Sequence, residues 1–373
     1  MSGPHTFRSD NNAGLCPEAL DALGVAARGH CVGYGDDAAT EAAEAALRGL
    51  FGDDTAVFFV ATGTAANTLA VAALTEPWQR VLCHSHAHWN DDESTAPERI
   101  TMCRTTAIEP APGGDPTRLV PADLERALAG GRGDVHQPAP GVLTLSNPTE
   151  LGTLYSPEAL AELCAHAHAR GYAVHVDGAR FANAVAALMA ARALDPATAC
   201  RALSVDAGVD ALSFGGTKNG LALGEAVLFF GAAARPRSAR AVARFPFLRK
   251  STGHLLSKHR FVSAQFTWTL AGDGSAIAPG AWLRHAAHAN TMAARLAAGL
   301  RDRGLAPAFP TEANGVFVRL PAAIDRGLQA RGHGYYPFAS PVGEVSRLMC
   351  SFDTPASAVD GLLADIGALR AAG

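Results

Sequence analysis

Between Ala56 and Ser213 the chain repeatedly sets a short apolar run against a longer amphipathic one, and few architectures accept that rhythm. A short run with no polar face must be covered on both sides. Ala56–Val60, Val81–His84, Val142–Leu145, Tyr172–Val176 and Ala211–Phe214 therefore read as strands of a parallel sheet, joined by crossover helices. One helix has both ends written out. Ser156 is the N-cap, Pro157 takes the first helical position, Leu160, Leu163 and Ala167 follow at helical spacing, and Gly171 stops it. Ala56–Val60 runs through Ala61-Thr62-Gly63-Thr64-Ala65-Ala66-Asn67 into the apolar stretch Leu69–Leu74, a strand, tight turn and helix start. Pro110–Asp115 and Gly130–Pro140 are rich in Gly and Pro and predict surface loops.

After Lys250 the character changes to alanine- and leucine-rich helices, His254–Leu270 and Trp282–Leu300. Beyond them Val316–Leu320, Tyr335–Ala339 and Ser346–Phe352 predict strands interleaved with helices Ile324–Arg331 and Ala356–Ala371. The expected organisation is an α/β fold with a large, mostly parallel sheet domain over residues 1–250 and a small α+β domain over residues 251–373.

Composition removes several function classes. The 373 residues are 48% hydrophobic, enough for a large core and a second, smaller one. Lys and Arg total 31 against 35 Asp and Glu, for a net charge of -4, and no basic run offers a footprint for nucleic acid. Met1–Asp10 has no basic region followed by an apolar stretch, and no span approaches the roughly 20 apolar residues that cross a bilayer. The expectation is a cytoplasmic protein with no membrane partner. Seven scattered cysteines without a CxxC predict reduced thiols rather than disulfides or a zinc knuckle. No G-x-S-x-G elbow, P-loop or HExxH occurs, and no repeat of fixed period.

The residues able to carry chemistry follow strand ends, the edge of an open α/β sheet where ligands bind. Lys218 stands in Ser213-Phe214-Gly215-Gly216-Thr217-Lys218-Asn219-Gly220, among small residues that let a planar ligand approach the backbone. It reads either as a Schiff-base lysine or as an ordinary loop lysine. Asp177, in His175-Val176-Asp177-Gly178-Ala179-Arg180, reads as the partner of a protonated pyridine nitrogen, as a helix N-cap, or as half of an ion pair with Arg180. Thr62-Gly63-Thr64 offers a phosphate cradle or simply a cap. His84, His86 and His88 share one face if their strand continues, with Asp91, Asp92 and Glu93 following, which suits a metal or a ring stacked on a cofactor. Gly33-Tyr34-Gly35 lacks the third glycine and preceding strand of a dinucleotide fingerprint and reads as a turn.

In order along the chain stand Phe7-Arg8-Ser9-Asp10, Tyr34-Gly35-Asp36-Asp37, Thr62 to Asn67, His88 with Glu93, His175 to Arg180, Lys218, and Ser346-Arg347-Leu348. The ordered set resembles the threonine aldolase family of fold-type I pyridoxal-phosphate enzymes, over nearly the whole chain. The resemblance implies pyridoxal 5′-phosphate as cofactor, bound to Lys218, with Gly63 and Thr64 on its phosphate, His88 stacked on its ring, Asp177 on its pyridine nitrogen and Arg180 beside its phenolic oxygen. It further implies that Ser9 and Arg347 clamp the substrate carboxylate, with Tyr34 in the substrate-binding set. Lys250 and Arg260 would reach the phosphate region from a neighbouring subunit, in a homo-oligomer, usually a tetramer built of dimers. Where many members carry a histidine near the substrate hydroxyl, this chain has Glu150 in Asn147-Pro148-Thr149-Glu150-Leu151-Gly152.

The activity implied is cleavage of an L-β-hydroxy-α-amino acid of the threonine, allo-threonine or phenylserine type to glycine and an aldehyde. His88 is the first choice as the base for the β-hydroxyl proton and Glu150 its competitor. Transaldolation or β-elimination on the same cofactor is the second reading. A metal-dependent hydrolase built on His84, His86 and His88 is the reading from another class.

Overall fold

The computed structural model describes residues 6–271 and 280–371; Met1–His5, part of the N-terminal segment read above, lie outside them. In chain order come helices α1 (Pro17–Ala26) and α2 (Ala38–Phe51), strand β1 (Ala56–Val60), α3 (Gly63–Leu74), β2 (Gln79–His84), α4 (His88–Asp91), α5 (Ala96–Thr101), β3 (Arg104–Ile108), α6 (Pro121–Leu128) and β4 (Ala139–Ser146). Then follow α7 (Pro157–Ala169), β5 (Ala173–Gly178), α8 (Phe181–Arg192), α9 (Pro196–Ala202), β6 (Ala211–Gly215), β7 (Glu225–Phe229), α10 (Pro236–Ser251), α11 (Arg260–Ala271) and α12 (Ala281–Asp302). The last elements are β8 (Gly315–Val318), α13 (Ala322–Ala330), β9 (Tyr336–Phe338), β10 (Val345–Met349) and α14 (Ala356–Ala371).

The large sheet has the order β1-β7-β6-β5-β4-β2-β3. Only β7 runs against its neighbours: β1 and β6 both pair with it antiparallel, and the remaining pairs are parallel. Consequently β1, β2, β4, β5 and β6 end at one edge, and β7 begins there. Helices cover both faces. Helix α3 is buried at every position from Ala65 to Leu74; with Ala241 and Phe245 of α10 it packs against the Val81, Val142 and Phe229 side of the sheet. A helix apolar all round can only be an interior one. The other face carries α2, α7, α8 and α11 on a core that includes Phe51, Val174, Leu212 and Phe266.

A small three-stranded antiparallel sheet, β8-β10-β9, lies near the C-terminus. Its core joins Val316, Leu348 and Leu362 to Leu296 and Leu300 of α12 and to Phe7 from the N-terminal segment. The cores change over within α12, whose Trp282 and Ala286 belong to the large one while Met292–Leu300 belong to the small one. They do not change over at Lys250, since Val262, Phe266 and Leu270 of α11 pack with the large sheet.

The strands and the Ser156-capped helix stand where the sequence predicts them, and the Ser156 hydroxyl accepts the Ala159 N–H. The helix predicted over His254–Leu270 instead begins at Arg260, because Gly253, in the left-handed region at φ +82°, turns the chain after α10. Helix α10 was hidden by its basic residues and internal Pro246. The predicted loop Gly130–Pro140 gives its last two residues to β4. No helix of the described residues is long and apolar enough to cross a membrane.

Candidate active site

At the carboxyl edge of the large sheet a cavity of about 450 Å³ is lined by the start of α3, His88, Glu150, Asp177, Lys218 and Glu225. Each comes from a different strand end, so the parallel topology alone brings residues from 63 to 225 together.

Lys218 lies in a 3-10 turn, Thr217–Asn219, immediately after β6. The turn is tied on both sides. The Gly216 N–H donates to Glu225 Oε2 at 2.6 Å, and Asn219 Nδ2 donates to the Trp282 carbonyl at 2.8 Å. Gly216 has no room for a side chain: an added Cβ would lie 2.6 Å from the Gly224 oxygen and 2.8 Å from Phe266.

Asp177 is neither an N-cap nor the partner of Arg180. Its Oδ1 accepts the Ala179 N–H at 2.9 Å and its Oδ2 accepts Asn67 Nδ2 at 2.8 Å. Burial pushes its carboxyl up, but the charges of His88 and Lys218 and the Ala179 N–H outweigh that and hold it below the usual carboxylate range. Beneath it His175, wholly buried, bridges Thr144 and Ser213 through its two ring nitrogens, and burial lowers it to about 4, so it is neutral.

His88 opens α4 and its Nδ1 lies 2.9 Å from Glu93 Oε1. Burial lowers the imidazole, but the hydrogen bond to Glu93 and the charges of Asp177 and Glu150 raise it on balance to about 9. The same Glu93 oxygen accepts the second hydrogen of Asn67 Nδ2, at 2.8 Å. A single amide nitrogen thus joins the carboxylate beside His88 to Asp177.

At the start of α3 the capping reading holds. The Thr62 hydroxyl caps the Ala65 N–H and its carbonyl takes that of Ala66. The N–H groups of Gly63 and Thr64, at the positive end of the helix dipole, are left on the cavity wall.

A second, small cavity adjoins the first through Glu150, with Arg180, Asn314 and Arg347 in its wall. Arg180 is fixed by Asp10, Nε to Oδ2 at 2.6 Å and Nη2 to Oδ1 at 3.0 Å, and Asp10 also accepts Asn314 Nδ2 at 3.1 Å. Arg347 reaches in from β10 and lies against Phe338, 5.5 Å from its ring centroid, with no hydrogen-bonding partner for its buried Nε. Burial and the neighbouring Arg180 charge lower its guanidinium. Glu150 makes no hydrogen bond or ion pair among the described residues, and it borders a third small cavity beside His84, His86 and Tyr155.

Several predicted residues do not line the cavity of their own chain. Ser9 caps the turn Asp10–Asn12 by accepting the Asn11 N–H, and Asn11 is the one that lines the cavity. Tyr34 is half exposed with Lys250 Nζ 4.7 Å above its ring, and Arg260 donates to Cys31 Sγ and the Gly29 carbonyl. His84, His86 and His88 do not share a face, because β2 ends at His84. His84 contacts the Pro116 carbonyl and the His86 N–H, while His86 sits 3.7 Å from Asp91. The basis for a three-histidine metal hydrolase is gone. Sequence reasoning gave no role of their own to Asn67, Asp10 or Glu225, and placed Glu93 only beside the histidines. The signal was available for two of them: Asn67 is the polar break in an otherwise apolar helix, and Glu225 opens the buried run Ala226–Phe230.

A lysine amine, a buried carboxylate held by two donors, and free helix N–H groups on one wall fit the aldehyde, pyridine and phosphate ends of pyridoxal phosphate. This fold with this site defines a pyridoxal-phosphate-dependent enzyme of fold type I. Residues 6–323 match the beta-eliminating lyase family. Low specificity L-threonine aldolase of Pseudomonas aeruginosa is 42% identical over 362 residues, 96% of each chain, and that of another Pseudomonas species is 40% identical over 98% of each. The solved structure of Leishmania major threonine aldolase superposes with a TM-score of 0.83 at 26% identity, covering 99% of both chains. The chain belongs to the beta-eliminating lyase family.

Proposed function

We propose that this enzyme cleaves the Cα–Cβ bond of an L-β-hydroxy-α-amino acid, releasing glycine and an aldehyde, with pyridoxal phosphate carried as a Schiff base on Lys218. The observation that carries the reading is the setting of Glu150, a carboxylate without a hydrogen bond or ion pair among the described residues, on the cavity that holds Lys218, Asp177 and His88. When bound, the cofactor supplies an electron sink for the Cα carbanion.

The protein's own residues do the rest. Gly63 and Thr64 hold the phosphate with backbone N–H groups, and Asp177 keeps the pyridine nitrogen protonated. Arg347, whose Nε has no partner among the described residues, would take the substrate carboxylate beside Arg180, and that grip would orient the substrate's Cα. His88, protonated through neutral pH, stacks and holds charge. Glu150 accepts the β-hydroxyl proton directly or through water. This reverses the order of the two candidate bases expected from the sequence.

Lys250, Arg260 and Tyr34 do not line the cavity of their own chain, and Phe247, on the same helix as Lys250, is exposed, which supports a homo-oligomer in which they serve a neighbouring site. A tetramer of paired dimers is the state we propose. Seven unpaired cysteines, six of them buried, support a reducing cytoplasm.

The test is direct. The purified protein should show a visible chromophore abolished by borohydride and by Lys218→Ala, and should convert threonine to glycine and acetaldehyde in equal amounts. A product other than free glycine would shift the reading to transaldolation or β-elimination. A colourless protein holding stoichiometric zinc would overturn it.

A further inference from the structure

Glu225 belongs to none of the roles above, yet it is among the most confined charged groups in the molecule. It is the first residue of β7, in register with Gly215 of β6 on one side and Val60 of β1 on the other. Its side chain is buried, 6% exposed, and lines the cavity that holds Lys218. There it accepts the Gly216 N–H at 2.6 Å, so the turn that carries Lys218 is held by one carboxyl group two residues before the lysine.

Residues in that turn have nowhere else to go. Gly215 is closed off by the Ala179 carbonyl and Gly216 by Gly224 and Phe266. The conformation that aims the lysine is thus set by packing on one side and by Glu225 on the other. The charged groups facing Glu225 are Lys218, from the turn, and Asp177, from β5. Thr62, Thr64, His88 and Glu150 share the cavity wall with it, Val60 is its register partner on β1, and Val262 and Phe266 of α11 close on the neighbouring Gly224 and Gly216.

We propose that Glu225 is a positioning residue for Lys218, pinning the Gly216–Thr217 backbone so that the amine points into the cavity, and that its ionisation sets the charge the Schiff base feels. Burial pushes the carboxyl up to about 7 against the pull of Thr217, Gly216 and Lys218. A carboxyl so raised keeps its proton in the folded protein where the unfolded chain has lost it. The stability this confers is complete below the ordinary carboxylate pKa and drains away as pH rises through about 7.

The inference rests on Lys218 as the Schiff-base anchor, and the experiment separates the two. In protein stripped of cofactor, wild type and Glu225→Gln are melted from pH 5 to 9. The amide keeps an acceptor for Gly216 and cannot ionise. The variant's Tm should match wild type near pH 5 and exceed it by about 3 °C or more at pH 8. In loaded protein, absorbance titration should show the Schiff base of Glu225→Gln losing its proton about one pH unit lower, since a nearby carboxylate no longer favours the charged imine. Glu225→Leu, which removes the pin, should form the borohydride-trappable Schiff base about tenfold more slowly. Superimposable wild-type and Glu225→Gln titrations, or a Glu225→Leu protein that loads at the wild-type rate, would overturn the proposal. Wild-type protein without a visible chromophore would overturn the Lys218 assignment instead, and the melting comparison alone would then decide whether Glu225 ionises in the fold.

Discussion

Nδ1 of His88 sits 2.9 Å from Oε1 of Glu93, whose side chain is fully shielded from solvent. The imidazole is raised to about 9 despite its burial, so it keeps its proton across neutral pH. A histidine whose pKa is raised by folding binds its proton more tightly in the folded state than in the unfolded one, so its protonation favours the fold. Its contribution is complete below the ordinary histidine pKa, near 6.5, and is lost as pH rises through about 9. Glu93→Gln should therefore lower the stability of cofactor-free protein by up to about 3 kcal/mol at pH 6, with the gap to wild type closing by about pH 9. Denaturant melts at both pH values check this. A constant gap would mean that only packing had been lost.

The same protonation state ranks the two candidate bases. A histidine that holds its proton and is committed to Glu93 cannot take another from a β-hydroxyl, whereas Glu150 is uncommitted. Glu150→Gln should cut kcat for threonine cleavage by about 10²- to 10³-fold with KM little changed. His88→Asn should cost about tenfold, mostly through weaker ring stacking. Steady-state kinetics on both variants decide the matter, and a larger loss in His88→Asn would restore the imidazole as base.

The strands, and the cavity-lining residues at their ends, were legible in the sequence for one reason. Buried parallel strands are short apolar words, and Lys218, Asp177 and Thr62–Thr64 all follow such words directly. What the sequence hid were relations across the sheet. Asn67 and Asp177 stand 110 positions apart and Asp10 and Arg180 stand 170 apart, so no local spacing announces either bond. The opposite error came from His84, His86 and His88, where alternation suggested a shared face and the end of β2 at His84 dissolved it. Edge strand β3, with its exposed Arg104 and Thr-rich middle, went unread because it lacks the apolar run of its buried neighbours.

Asp10 ties the turn after β5 to the segment before β8, holding Arg180 of the first and Asn314 of the second. Two arginine–carboxylate bonds within a buried pair mean that removing the negative charge leaves Arg180 unbalanced. Asp10→Asn should cost about 3–5 kcal/mol, read as a lower urea midpoint. Its KM should also rise, because Arg180 would be free to turn toward Glu150. Unchanged stability would show that Arg180 finds another partner.

Arg347 makes the opposite prediction. It is a partly buried cation whose Nε has no acceptor, beside the positive Arg180, and both burial and that neighbour disfavour its charge. Such a group costs stability until a ligand arrives, which is the mark of a residue kept for binding. Arg347→Leu should raise the Tm of the protein without substrate by a degree or two, roughly the effect of about 1 kcal/mol. The same variant should lose binding of glycine and of threonine. Arg347→Lys keeps the charge but not the planar fork, so KM should rise about 10- to 100-fold while kcat falls less. Thermal melts paired with a glycine-binding titration test both halves together. If Arg347→Leu were less stable and still bound glycine, the guanidinium would be a structural strut and the carboxylate site would have to be sought elsewhere on the cavity wall.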